Sequence, residues 1–143
     1  MKHDPDKVKQ VIVMRKDLGM RKGKACAQAA HASMKVLLDR RGEALTDSTS
    51  ENKNKSIYYK IGNFSDAEIE WIEGEFTKIV VGCEGKEPIR RLEKVANELG
   101  IPNAVIEDNG HTEFGGVKTV TCIALGPARS ALLDDLTGGF KLL

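Results

Sequence analysis

Apolar residues fall into four short runs along this chain, separated by stretches with helical spacing, and that alternation sets the coarse reading. VKQVIVMRK (residues 8–16) groups Val8, Val11, Ile12, Val13 and Met14 and predicts a buried strand. DLGM breaks it. A long helix is predicted over residues 21–40, ending near Gly42, and its alanines permit close approach of another element. Residues 42–56, GEALTDSTSENKNKS, are polar and predict a surface loop, while IYYKIG predicts a short strand or an extended arm. Ser65 and Glu68 open SDAEIEWIEGEF as an N-cap and capping box, with Ile69, Trp71, Ile72 and Phe76 on its apolar side.

TKIVVGC is a second strand. KEPIRRLEKVANELG is an amphipathic helix, in which Ile89, Leu92, Val95, Ala96 and Leu99 recur at helical spacing and Gly100 is the stop. NAVIED and KTVTCIALGP give the third and fourth strands, the latter closed by Gly126 and Pro127. ARSALLDDLTG gives a short last helix, and FKLL a terminal apolar segment. Strands alternating with helices predict an α/β fold, a three-layer α/β/α sandwich around a small mixed sheet of about four strands. The connection between the last two strands has no helical pattern, which makes an antiparallel pair the natural solution there. A chain of 143 residues is expected to form one domain.

Composition narrows the class. The chain is 41% hydrophobic and 30% charged, within the range of ordinary globular proteins, and no apolar run reaches the length of a membrane span. MKHDPDKVKQ lacks the apolar segment of a secretory signal, so a cytoplasmic location is expected. Cys26, Cys83 and Cys122 form no CxxC pair, and no His/Cys cluster has zinc-like spacing. All three are expected to be small, buried and reduced, with neither disulfide nor metal.

The net charge of +1 hides an asymmetry. Residues 1–41 carry 11 Lys/Arg against 4 Asp/Glu, and the remainder carry 11 against 17. Such a basic end suits an anionic partner such as a phosphate or a nucleic acid, or it is simply attracted to the acidic remainder.

The basic residues Arg21, Lys22 and Lys24 stand where the long helix begins. GMRKGK does not make a phosphate-binding P-loop: three residues, not four, separate Gly19 from Gly23, and Ala25 stands where a hydroxyl should follow the lysine. A helix N-terminus nevertheless favours an anion, and cations there oppose the dipole unless an anion or a nearby carboxylate neutralises them. Lys24, Gln28 and His31 stand at i, i+4 and i+7, on one helix face beside small residues. They read either as a site or as a solvated stripe. Later in the chain, Asp108 lies just past the end of a buried strand, in a glycine-punctuated loop with Thr112, while Thr119 and Thr121 share a face of the next strand. Asp108-Asn109-Gly110 can also be a plain turn, with the threonines as strand formers.

Taken together, VIVMRKDLGMRKGKACAQAAHAS and IEDNGHTEF, followed by TCIALGP and LLDDLTGGFKLL, resemble the archaeal and eukaryotic-type (type II) peptidyl-tRNA hydrolase family. The resemblance covers residues 8–41 and 77–143. Residues 42–76, Trp71 included, look like an insertion relative to shorter members, and His111 stands where the family often has arginine. GGVKTVT is longer than the usual connection and leaves the family's hydroxyl between Thr119 and Thr121; counting back from Gly126-Pro127 favours Thr121.

What the resemblance implies is hydrolysis of the ester between a peptide, or an N-blocked aminoacyl group, and the 3′ end of tRNA. It implies no cofactor and no metal, and it is compatible with a homodimer. Ester hydrolysis needs an oriented water, a proton acceptor and a partner for the developing oxyanion. The implied site has Asp108 positioning or deprotonating the water and Lys24 pairing with Asp108 or facing the oxyanion. Thr112 and Thr121 would supply hydroxyls, and Gln28 and His31 the rest of the polar wall. Arg15, Lys16, Arg21, Lys22 and His111 would contact tRNA. A non-catalytic RNA-binding module of the same fold is the alternative, and a hydrolase for another ester or amide is a third reading.

Overall fold

The computed structural model describes residues 4–46, 56–111 and 113–143. Most of the segment read as a polar loop (residues 47–55) and Thr112 therefore lie outside the described residues. Four strands form the main sheet: β1 (Val8–Arg15), then β4 (Lys78–Cys83), β5 (Asn103–Asp108) and β6 (Thr119–Arg129), in spatial order β4-β1-β6-β5. β1 runs parallel to β4 and antiparallel to β6, and β5 is antiparallel to β6, so the sheet is mixed as expected. The two-residue strands β2 (Leu45–Thr46) and β3 (Ile57–Tyr58) pair as a separate ribbon, giving the polar stretch a short strand that its composition did not announce.

β1 lies second in the sheet and shows how strand periodicity builds the layers. Ile12 and Met14 face helix α1 (Lys22–Leu38), where they pack with Ala32, Val36, Ile106, Cys122 and Ala124. Val11 and Val13 face the opposite layer, α3 (Glu87–Leu99) and α4 (Ser130–Thr137), through Ile89, Leu92, Ala96 and Leu133. This is the three-layer sandwich. α1 can lie close because Ala32, fully buried, is the side chain at the contact. Gln10, in the middle of this apolar strand, is also buried and is satisfied by donating to Gly126 O and accepting from the Ser33 hydroxyl.

Three helix readings need correction. α2 (Asp66–Glu73) does open on the Ser65–Glu68 capping box, but Trp71 alone of its expected apolar side is buried. Ile69, Ile72 and Phe76 remain exposed, because an eight-residue helix meets the sheet with little more than one turn. Trp71 instead donates from its indole Nε1 to Thr77 O and stacks on Phe76. Leu99 is exposed at the end of α3, where Gly100, at φ +70°, turns the chain so that Ile101 enters the core in its place. Cys83 and Cys122 are buried as expected. Cys26 is exposed, since α1 turns its Gln28–Ala32–Val36 stripe to the sheet and Cys26 away from it.

The last strand is longer than its apolar run suggested, and it is irregular where it matters. Pairing runs from Ile106 opposite Cys122 to Glu107 opposite Val120, leaving Thr121 without a partner. A bulge of this kind turns two consecutive side chains toward the same layer. Thr121 and Cys122 accordingly both bond to Gln28 of α1.

Trp71→Ala should destabilise the fold by about 3–5 kcal/mol, the usual cost of emptying a large aromatic site. Urea unfolding followed by circular dichroism, needed because Trp71 is the one tryptophan, should show a lowered midpoint with an unchanged slope.

Candidate active site

The site begins at the first turn of α1. Arg21 caps this helix with no side-chain cap of its own, and the first turn holds no acidic residue. The cations Arg21, Lys22 and Lys24 would leave that end electrostatically unfavourable. The long β5–β6 connection supplies what is missing. Glu113 accepts from the Arg21 backbone N–H at 3.3 Å and lies 3.9 Å from its guanidinium, performing from a distant loop what a capping-box glutamate does locally. Asp108, at the end of β5, meets Lys24: Nζ stands 2.8 Å from Oδ1, with both side chains largely buried.

Asp108 is held on three sides. Its Oδ1 accepts from Lys24 and, at 3.3 Å, from Gln28 Nε2, while Oδ2 accepts from the Gly110 backbone N–H at 2.9 Å. Gly110 is required there, since it sits at φ +81° and a Cβ would fall 2.4 Å from Val117 O. The lysine bond, then the Gly110 amide and then Gln28 hold the Asp108 carboxyl below its usual range, against the opposing effect of burial. Behind Gln28 stands Thr121, fully buried, donating from Oγ1 to Gln28 Oε1 at 2.6 Å. That bond fixes which end of the amide faces Asp108. Thr121 therefore reaches the carboxylate only through Gln28, whereas the sequence suggested a hydroxyl offered directly to water or substrate. Thr119, on the same face, bonds its own neighbour Val117 O, so the bulged threonine is the one tied to the site.

The other expected residues divide. His31 shares the helix face of Lys24 and Gln28 but lies about 10 Å along the axis from Lys24, exposed and without a hydrogen bond among the described residues. Arg15 is not a free cation: it makes a two-pronged pair with Asp17 and donates to Val120 O, which holds Asp17 down at about 2. Lys16 is 3.6 Å from Glu84 and half open. Lys22 and His111 are exposed. Among the described residues, ion pairs linking residues 1–41 to the rest of the chain include Lys7–Glu75, Lys9–Asp134, Lys16–Glu84, Arg21–Glu113, Lys24–Asp108 and Arg40–Glu68. Much of the charge asymmetry is thus internal. Among the described residues no group of three or more His, Cys, Asp or Glu is placed to hold a metal ion.

Sequence reasoning missed Glu113 and Phe114. The Phe114 ring centroid lies 5.6 Å from Lys24 Nζ. A lone phenylalanine next to two glycines in a polar loop was the available signal.

The α/β sandwich thus gathers an aspartate, a lysine, an amide and a hydroxyl into one hydrogen-bonded polar cluster at the junction of a helix start and a strand end. The chain belongs to the peptidyl-tRNA hydrolase PTH2 family, whose model matches residues 8–143 and runs through residues 42–76 as well. It is 38% identical over 136 residues to a peptidyl-tRNA hydrolase of Thermoplasma volcanium, covering 95% of this chain and 98% of that one. It is 37% identical to a peptidyl-tRNA hydrolase of Sulfurisphaera tokodaii, covering 94% and 98%. Among solved structures, a protein of unknown function from Agrobacterium tumefaciens shares the fold, with a TM-score of 0.53 at 14% identity over 96% of this chain and 98% of that one.

Lys24→Ala removes the largest cause that holds Asp108 down, so the Asp108 titration should rise from its depressed position toward or above 3.8, as read from its carboxyl carbon by NMR. In the native chain a depressed carboxyl stabilises the fold above about pH 3.8, and that contribution is lost as pH falls through the lower folded-state value. An unmoved titration in the variant would contradict the pairing.

Proposed function

We propose that this chain hydrolyses the ester joining a peptide, or an N-blocked aminoacyl group, to the 3′-terminal ribose of tRNA. The observation that carries the reading is the chain of contacts Lys24–Asp108–Gln28–Thr121, built from three segments (α1, the end of β5 and β6) of a sequence that belongs to this family. The relatives' name supplies the substrate, and the residues supply the means.

Asp108, kept ionised by Lys24, is a weak base at neutral pH, so its part is to accept a hydrogen bond from the attacking water and fix its approach. The Lys24 ammonium, within reach of the same water, stands where the carbonyl oxygen gains charge and stabilises it. Gln28 holds the carboxylate in line, and Thr121 holds Gln28. Thr112, outside the described residues, belongs to the same loop and adds a hydroxyl to this reading. The exposed Arg21 and Lys22 contact phosphates near the tRNA 3′ end, a contact that ignores sequence and suits an enzyme accepting many tRNAs. Lys16 and the exposed His111 of the β5–β6 loop serve as further tRNA contacts in this reading, Arg15 acts there only through its pair with Asp17, and His31 lies too far along the helix to share the Asp108 cluster.

A purely RNA-binding module would need the basic turn but not an aspartate held by three donors. All four groups come from one chain, so a homodimer, if formed, is not needed to complete them. Cytoplasmic work follows from the tRNA substrate; among the described residues no helix is long and apolar enough to cross a membrane.

Lys24→Ala and Asp108→Ala should each lower kcat/KM for N-acetylaminoacyl-tRNA by about 100-fold or more, the scale of losing a transition-state contact, with circular dichroism unchanged. Native turnover in both variants would defeat the assignment. Binding should weaken as salt rises, and Arg21→Ala or Lys22→Ala should each reduce the slope of log affinity against log salt by about one. A salt-independent affinity would count against the phosphate contacts.

A further inference from the structure

We infer that Phe114 is the stacking platform for the terminal base of the tRNA, and so a substrate-positioning residue for the ester at Lys24 and Asp108. The inference rests on the esterase reading and adds a residue that neither motif nor comparison assigns. Phe114 is half-buried, and its ring centroid lies 5.6 Å from Lys24 Nζ. Other large aromatic side chains are placed elsewhere. Tyr58 belongs to the ribbon with β2 and Tyr59 follows it, Phe64 lies by Arg40, Phe140 packs against the core, and Phe76 and Trp71 stack on each other.

The ring is held by its surroundings. Gly116 N–H donates to Gly110 O, and Val117 N–H donates to Phe114 O, closing the loop on itself next to the Asp108 anchor. Glu113, the preceding residue, is tied to the start of α1 through Arg21. The loop therefore cannot shift without disturbing both the helix end and the carboxylate.

Substrate chemistry fixes what such a ring would meet. The scissile ester sits on the same ribose that carries the terminal base, so a base must lie one sugar ring away from the reacting carbonyl. An aromatic face beside the lysine at that carbonyl is in the right place to receive it. Base-on-aromatic stacking tolerates sequence and orients the sugar, and with it the ester, against the attacking water. The ammonium on the other side of the ring adds to its attraction for an electron-rich base only indirectly, by keeping the ring in place.

The test uses two chemically acylated tRNAs carrying the same N-acetylaminoacyl ester, one intact and one lacking only the base of its 3′-terminal nucleotide. The native enzyme should prefer the intact substrate in kcat/KM by about 5- to 150-fold, the range of a single stacked base. Phe114→Leu, which keeps apolar bulk without a ring, should bring that ratio close to one, mainly by losing rate on the intact substrate. Phe114→Trp should preserve it. If Phe114→Leu keeps the native ratio, or slows both substrates equally as a structural role would, the inference is overturned. Failure of the native enzyme to cleave the intact substrate would instead overturn the esterase reading itself, and is distinguishable because it precedes any comparison of variants.

Discussion

A lysine ammonium and an aspartate carboxylate 2.8 Å apart join the first turn of α1 to the end of β5, across 84 residues of chain. Much of the site's geometry serves to hold that pair. α1 must lie flat against the sheet, which the small Ala32 allows. β6 must bulge at Thr121 to fix Gln28, and the chain beyond Asp108 must turn with an open N–H at Gly110. A partly buried pair is stable only when the remaining lone pairs and protons are also satisfied. Here the carboxylate takes three donors, and the amide that supplies one of them is itself locked by a hydroxyl.

The cationic helix start follows the same logic. Placing three basic residues on the positive end of a helix is unfavourable alone. The β5–β6 loop answers with Glu113 for Arg21 and the β5 end with Asp108 for Lys24, so the fold neutralises two of the three internally. Lys22 and the outer surface of Arg21 stay open to an incoming phosphate. Among the described residues the charge separated along the sequence is in this way largely recombined in space, with Lys22 and the outer side of Arg21 left exposed at the helix start.

How much of this the sequence carried depends on the range of the interaction. Local signals were legible: the four apolar runs became the four main strands, Ser65 and Glu68 made their capping box, and Gly100 ended its helix. The i, i+4 spacing put Lys24 and Gln28 on one helix face, and in the structure both donate to the Asp108 carboxylate. The same spacing could not say that His31, one turn further, would face open solvent, because that depends on where the β5–β6 loop ends. A bulge leaves no mark in alternation, so Thr121 could be placed on the right face but not behind the amide. Ile69, Ile72 and Leu99 went astray for one shared reason: periodicity states which residues share a helix face, while the breadth of the buried stripe is set by what packs against it; Cys26, expected buried only as free cysteines usually are, lies on the outer face of α1.

The lowered pKa of Asp108 bears on the catalytic role proposed for it. A carboxylate held down by a lysine, an amide and a backbone N–H has little affinity for a proton at neutral pH, so it cannot drive water to hydroxide by basicity. In the proposed reading its value would lie in direction, since a water bonded to a fixed carboxylate is restricted in its line of approach. On the proposed reading the ammonium beside it would serve two anions in turn: the carboxylate at rest, and the carbonyl oxygen as it gains charge. Because Asp108 keeps its other donors, the lysine can shift part of its attraction to the substrate oxygen without leaving the carboxylate unpaired.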